Sequence, residues 1–104
     1  MIGIGKWAGS VSTMFFSGDV SFSIVDRDGE YGFEFDLPEG KTLPGYEIKQ
    51  IREDGSTLLI TGTVSLLPGK TIDITLNFDG DSMSGQAKVP FLGKIPFKNF
   101  KRIG

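Results

Sequence analysis

The sequence predicts an all-β fold, an antiparallel up-and-down meander of about eight strands closing into a small barrel. Three observations carry this. Apolar residues recur with period two rather than 3.6. Gly-bearing turn signals punctuate the chain at intervals of about 11–14 residues. No long stretch shows an apolar stripe of helical spacing.

The strands follow in order. Residues 6–16 place Trp7, Gly9, Val11, Thr13 and Phe15 on one face. Residues 19–25 set Val20, Phe22 and Ile24 against Ser21 and Ser23. Residues 30–37 set Tyr31, Phe33, Phe35 and Leu37 against Glu30, Gly32, Glu34 and Asp36. In residues 46–52, Tyr46 and Ile48 define a face that Ile51 leaves, which predicts a bulge near Lys49–Gln50. Arg52 shares the Tyr46 face without that bulge and points to solvent with it. Residues 57–64 carry Leu58, Ile60, Gly62 and Val64 together, and residues 71–78 carry Ile72, Ile74, Leu76 and Phe78. Residues 82–89 repeat the pattern with Met83, Gly85, Ala87 and Val89, and residues 97–103 form the last strand. Asp28-Gly29, Asp54-Gly55 and Asp79-Gly80 are hairpin signals, and residues 38–45 are the one longer loop. Few connections are long enough for Greek-key crossovers, so a barrel is preferred to a sandwich. The whole chain, 1–104, reads as one domain.

Composition narrows the chemistry. Without Cys there is no disulfide, zinc ribbon, iron–sulfur cluster or thiol nucleophile; without His there is no serine–histidine triad or imidazole ligand. Any metal site would have to be built from oxygen. Gly69-Lys70-Thr71 and Gly40-Lys41-Thr42 resemble the tail of a phosphate loop, but the earlier Gly is missing from both. Asp26-Arg-Asp-Gly-Glu30 resembles part of a calcium loop and reads better as a hairpin tip. Glu30, Glu34 and Asp36 lie opposite an aromatic face and should be hydrated. The expectation is a non-enzyme with no cofactor.

No secretion signal or membrane-length apolar run is visible, so a cytoplasmic location is expected. The net charge is −2, yet the five cations of residues 82–104 are unaccompanied by any acid. Lys88, Lys94, Lys98, Lys101 and Arg102, with Phe97 and Phe100 between them, suggest nucleic-acid contact. The acidic remainder of the chain opposes it, so neither nucleic acid nor membrane insertion is expected. Edge-strand pairing leaves a monomer or a homodimer open.

In the segment Val89-Pro-Phe-Leu-Gly-Lys-Ile-Pro-Phe97 two prolines predict a loop or broken edge. Phe91, Leu92 and Ile95 then form a hydrophobic lip, either a portal or partner contact or a loop folded back to plug the barrel end.

Gly5-Lys6-Trp7 at the start of the first strand, with Arg102 at the end of the last, resembles the lipocalin and fatty-acid-binding superfamily of calycin barrels. The resemblance implies that Gly5 and Trp7 pack at a closed barrel end beneath Arg102. Asp79-Gly-Asp-Ser-Met-Ser-Gly85, followed by Lys98 and Arg102-Ile103, is similar to small calycin-like domains of uncharacterised bacterial proteins. The chain is shorter than most such barrels. It also lacks the lipocalin Thr-Asp-Tyr motif and a helix-turn-helix lid.

The expected function is a non-catalytic binding module for a small hydrophobic or amphipathic, lipid-like molecule. Phe22, Tyr31, Phe33, Phe35, Tyr46, Arg52 and Met83 are the candidate lining. The tyrosine hydroxyls would orient the ligand, and an inward Arg52 would suit a carboxylate. The alternative is a structural or protein-interaction barrel whose bulky rings fill the interior. Gly9, Gly62, Gly85 and Ala87 fall on the same inward faces, where they either open a pocket or accommodate the rings.

Overall fold

The computed structural model describes residues 1–12, 17–36, 45–65, 69–91 and 93–104. It contains β1 (Gly5–Ser12), β2 (Ser17–Arg27), β3 (Glu30–Asp36), β4 (Tyr46–Asp54), β5 (Thr57–Val64), β6 (Ile72–Asp79), β7 (Ser82–Val89) and β8 (Gly93–Arg102). All eight join one antiparallel sheet in the order β3-β2-β1-β8-β7-β6-β5-β4. Sequence neighbours therefore pair, with one exception. The first and last strands pair with each other, while β3 and β4 are the two edges of the sheet.

The sheet curls into a half-barrel. Rings from non-neighbouring strands meet inside it: Trp7 of β1 and Phe78 of β6 at 5.1 Å, Phe22 of β2 and Phe100 of β8 at 6.0 Å. The two edges approach through side chains, with Phe35 and Tyr46 edge-to-face at 5.6 Å. The core is Trp7, Ile24, Phe33, Leu58, Ile60, Leu76, Met83 and Phe100, all buried and all from the inward faces or last strand of the alternation.

Two irregularities re-aim side chains. The β4–β5 register slips between Ile48 and Gln50, so Ile48 and Ile51 both pack on the core. Arg52 is consequently exposed, and its possible inward role is corrected by the bulge that the Ile48–Ile51 spacing announces. On β8, Asn99 has φ 60°, a left-handed conformation that Asn tolerates. The register with both β1 and β7 shifts beside it. The extra residue lets Phe97 and Phe100, three apart, both face the interior, where their rings lie 6.0 Å apart.

The proline-flanked segment is also corrected. β7 continues to Val89 and β8 begins at Gly93, with Pro96 paired opposite Gln86. Pro96 is tolerated because the described β1–β8 pairing stops at Lys98, which leaves the other side of Pro96 without a ladder partner there. Phe91 is 85% exposed, so it does not plug the barrel.

Meander topology sorts the connections by end. The β2–β3, β4–β5 and β6–β7 turns share one end with residues 1–5 and 102–104. Asp28 and Gly29 both have positive φ, and Gly29 N–H donates to Asp26 Oδ1 at 2.8 Å, which makes the first of these a primed hairpin turn rather than a calcium loop. At this end Trp7 is fully buried, donates Nε1–H to the Gly3 carbonyl at 2.9 Å, and lies under the Arg102 guanidinium at 4.5 Å. Arg102 also donates to the Ile4 carbonyl and to Asp81 Oδ1, and it sits opposite Trp7 in the β1–β8 register. A side chain on Gly5, at φ 143°, would strike Arg102.

Arg102→Ala removes the cation over Trp7 and a donor to a backbone carbonyl. It is expected to cost about 2 kcal/mol in urea unfolding. Arg102→Lys should recover less than half of that, because an ammonium cannot stack flat on the ring and reach both acceptors.

Candidate functional site

The inward faces divide along the barrel axis. Large side chains fill the Trp7 end: Trp7, Ile24, Leu58, Leu76, Phe78, Met83 and Phe100. Towards the other end, where β1 leads to β2, β3 to β4, β5 to β6 and β7 to β8, two cavities open among the described residues. One, of about 230 Å³, is bounded by β3, β4, β5 and β6 through Phe33, Phe35, Tyr46, Ile48, Val64 and Ile72. The other, of about 190 Å³, lies against β1, β2 and β8 through Val11, Val20, Phe22, Phe97 and Phe100. Phe33, Phe35, Ile60 and Ile74 line both, so they are adjoining chambers of one interior. Ile60 and Ile74 are direct partners in the β5–β6 ladder and form the floor between them.

The lining is almost wholly apolar in each chamber. Glu47 borders the larger one, but it is exposed and its carboxylate pairs with Lys49 at 3.0 Å. The Tyr46 hydroxyl reaches across the seam towards the Phe33 carbonyl at 3.5 Å, the outer limit of a hydrogen bond. The chambers therefore offer shape and dispersion rather than charge, with one hydroxyl, that of Tyr46, at the rim.

The seam between β3 and β4 is bridged at its other end by Tyr31. Its hydroxyl accepts from the Ile2 N–H at 2.7 Å and donates to Glu53 Oε1 on β4. Burial raises the hydroxyl's pKa above its ordinary 10.0, and the hydrogen bond to Glu53 adds to the rise. Tyr31 thus works as a strut holding the N-terminal arm to both sheet edges.

The structure brings together four of the expected lining residues, Phe22, Phe33, Phe35 and Tyr46. Three others fall outside the two chambers. Tyr31 spans the seam, Arg52 faces outward, and Met83 is buried opposite Phe78 and Phe100 in the packed end. Gly5, Trp7 and Arg102 meet as a group at the closed end. Phe91 and Ile95 lie outside both linings, and Leu92 lies outside the described residues. Phe15 and Leu37, expected to face inward, are also outside them. The aliphatic lining, Val11, Val20, Ile48, Ile60, Ile72 and Ile74, was not singled out from sequence. Its signal is position: apart from Ile60 at the middle of β5, these are inward residues on the strand halves nearest the β1–β2, β3–β4 and β5–β6 connections.

The inward glycines divide by role. Gly62 lines the larger chamber, Gly9 makes room for the Phe100 ring, and Gly85 lets β7 pass close to the Thr75 carbonyl. Among the described residues no group of three or more acidic side chains is placed to hold a metal. No helix among them is long and apolar enough to cross a membrane. No protein-family model, curated protein or solved structure matches the chain.

Tyr31→Phe removes both hydroxyl contacts and should cost about 1–2 kcal/mol at neutral pH. Because the folded-state pKa is raised, the stabilisation is fully present below pH 10.0 and declines as pH rises from there through the folded value. Denaturant unfolding of both proteins from neutral to strongly alkaline pH checks this: the gap between them should narrow above pH 10.0, and a gap that stays constant contradicts it.

Proposed function

We propose that the chain is a non-catalytic binding module holding a small, uncharged hydrophobic molecule in the half-barrel interior. The observation that carries this reading is the pair of adjoining apolar chambers sharing Phe33, Phe35, Ile60 and Ile74. Each is smaller than the ~300–1,000 Å³ usual for ligand sites, and joined they reach the lower part of that range. The outward Arg52 removes the one cation the sequence offered for an interior carboxylate, which shifts the reading from fatty-acid-like to neutral ligands. The Trp7–Arg102 closure and the eight-strand meander support a calycin-like affiliation. A second reading, a protein-interaction domain, is favoured by one observation: β3 and β4 are edge strands without ladder partners on one side.

Ile74→Phe tests the first reading, because Ile74 borders both chambers. Extra volume in a packed core costs about 1–3 kcal/mol. If the chambers take ligands, the variant should keep its melting temperature within a few degrees and lose at least about tenfold in affinity for a neutral hydrophobic fluorophore. Full destabilisation with no dye binding by the parent protein would favour the filled-core reading.

A further inference from the structure

We propose that the β7–β8 hairpin tip is a docking element for an anionic lipid bilayer, which goes beyond ligand binding in the interior. The tip combines two features that a purely structural hairpin would avoid. Phe91 is 85% exposed, and its φ of 70° puts a bulky aromatic in the left-handed region. Lys88 and Lys94 are direct partners in the β7–β8 ladder, so like charges face one another three residues below Phe91 on either side. Asp73 lies opposite Lys88 on β6 and accepts from Thr61, and it makes no ion pair with either lysine. Lys70 adds a third cation, its Nζ 5.9 Å from the Phe91 ring centroid, and Lys98 is exposed further along β8.

An aromatic tip ringed by lysines has the chemistry of a membrane interface anchor. The ring enters the boundary between headgroups and acyl chains, and the ammonium groups meet anionic headgroups. Bound in this way, the Lys88–Lys94 repulsion is relieved by counter-charge, and the exposed ring gains burial. Nucleic acid fits less well. Single-strand binding uses successive stacking rings, and Phe97 and Phe100 face the interior instead. The hairpin leaves the barrel at the end where the two chambers lie, so docking brings that end to the bilayer.

The test is sedimentation of the full chain with two kinds of vesicle, pure phosphatidylcholine and phosphatidylcholine carrying about one-third phosphatidylserine, in about 0.1 M salt. Binding only to the anionic vesicles is expected, weakening as salt rises. Lys88→Gln and Lys94→Gln should each weaken it about fivefold. Phe91→Gly should weaken it at least about tenfold while leaving the melting temperature unchanged or raised, since glycine relaxes the positive φ. Lys101→Gln is the control and should leave binding unchanged; Lys101 donates to Ser82 near the opposite end. The proposal is overturned if the protein ignores both vesicles, binds both equally, or binds in a way indifferent to Phe91. It is also overturned by a Phe91→Gly variant that melts well below the parent, or by lysine-dependent binding to single-stranded DNA without vesicle binding. Loss of vesicle binding leaves dye binding in the interior untouched, so the two readings fail separately.

Discussion

The antiparallel pairing of β1 with β8 is the constraint on which the half-barrel depends. A meander of sequential hairpins needs no contact between its ends and on its own would give an open sheet. Joining first strand to last brings Trp7 beneath Arg102 and sets Phe100 against Gly9 and Phe22. The curl that results brings Trp7 of β1 against Phe78 of β6 without any ladder between those strands. Arg102 is suited to this place because its planar group lies on the indole while its edge donates to a carbonyl and a carboxylate. The Asp81 contact is exposed and contributes little; the stacking and the carbonyl contact carry the weight.

Packing then follows a gradient along the axis. Tight turns and the two terminal segments gather at one end, where fully buried residues such as Trp7, Ile24, Leu58 and Phe100 interlock. At the other end the inward residues are mostly aliphatic or partly exposed rings, and they leave space. One sequence pattern thus answers the question posed by its many phenylalanines in two ways. Phe100 is buried in the packed end and borders the smaller chamber from there, and Phe22, Phe33 and Phe35 line the open space.

Much of this architecture was legible because period-two alternation reports directly on which side of a sheet a residue faces. The β4 bulge was legible for the same reason: Ile48 and Ile51 cannot share a face without an extra residue between them. The β8 bulge was harder, since its trace is only an Asn within a Phe–x–x–Phe spacing. The seam could not be read at all. Which neighbouring strands fail to pair depends on how eight strands share the curvature, and no local pattern encodes that. The site was half legible for a related reason. Alternation says that Met83 and Phe33 both face inward, but not that Met83 lies at the crowded end and Phe33 beside open space. Pro90 does lie in the turn, but Pro96 misled, because proline's cost depends on whether its missing donor would have had a partner, and in the described pairing it would not.

The seam between β3 and β4 gives the barrel wall an uneven stiffness. Around most of its circumference, widening the wall means breaking several backbone hydrogen bonds together. Among the described residues, at the seam it means separating one ring pair, one long hydroxyl contact and the Tyr31 strut. The larger chamber borders this compliant line, with Phe35 and Tyr46 belonging to both. On the proposed binding reading, a guest somewhat too wide for the resting interior would be accommodated by hinging along this one line, so selection by girth would be shallow and selection against charge sharp.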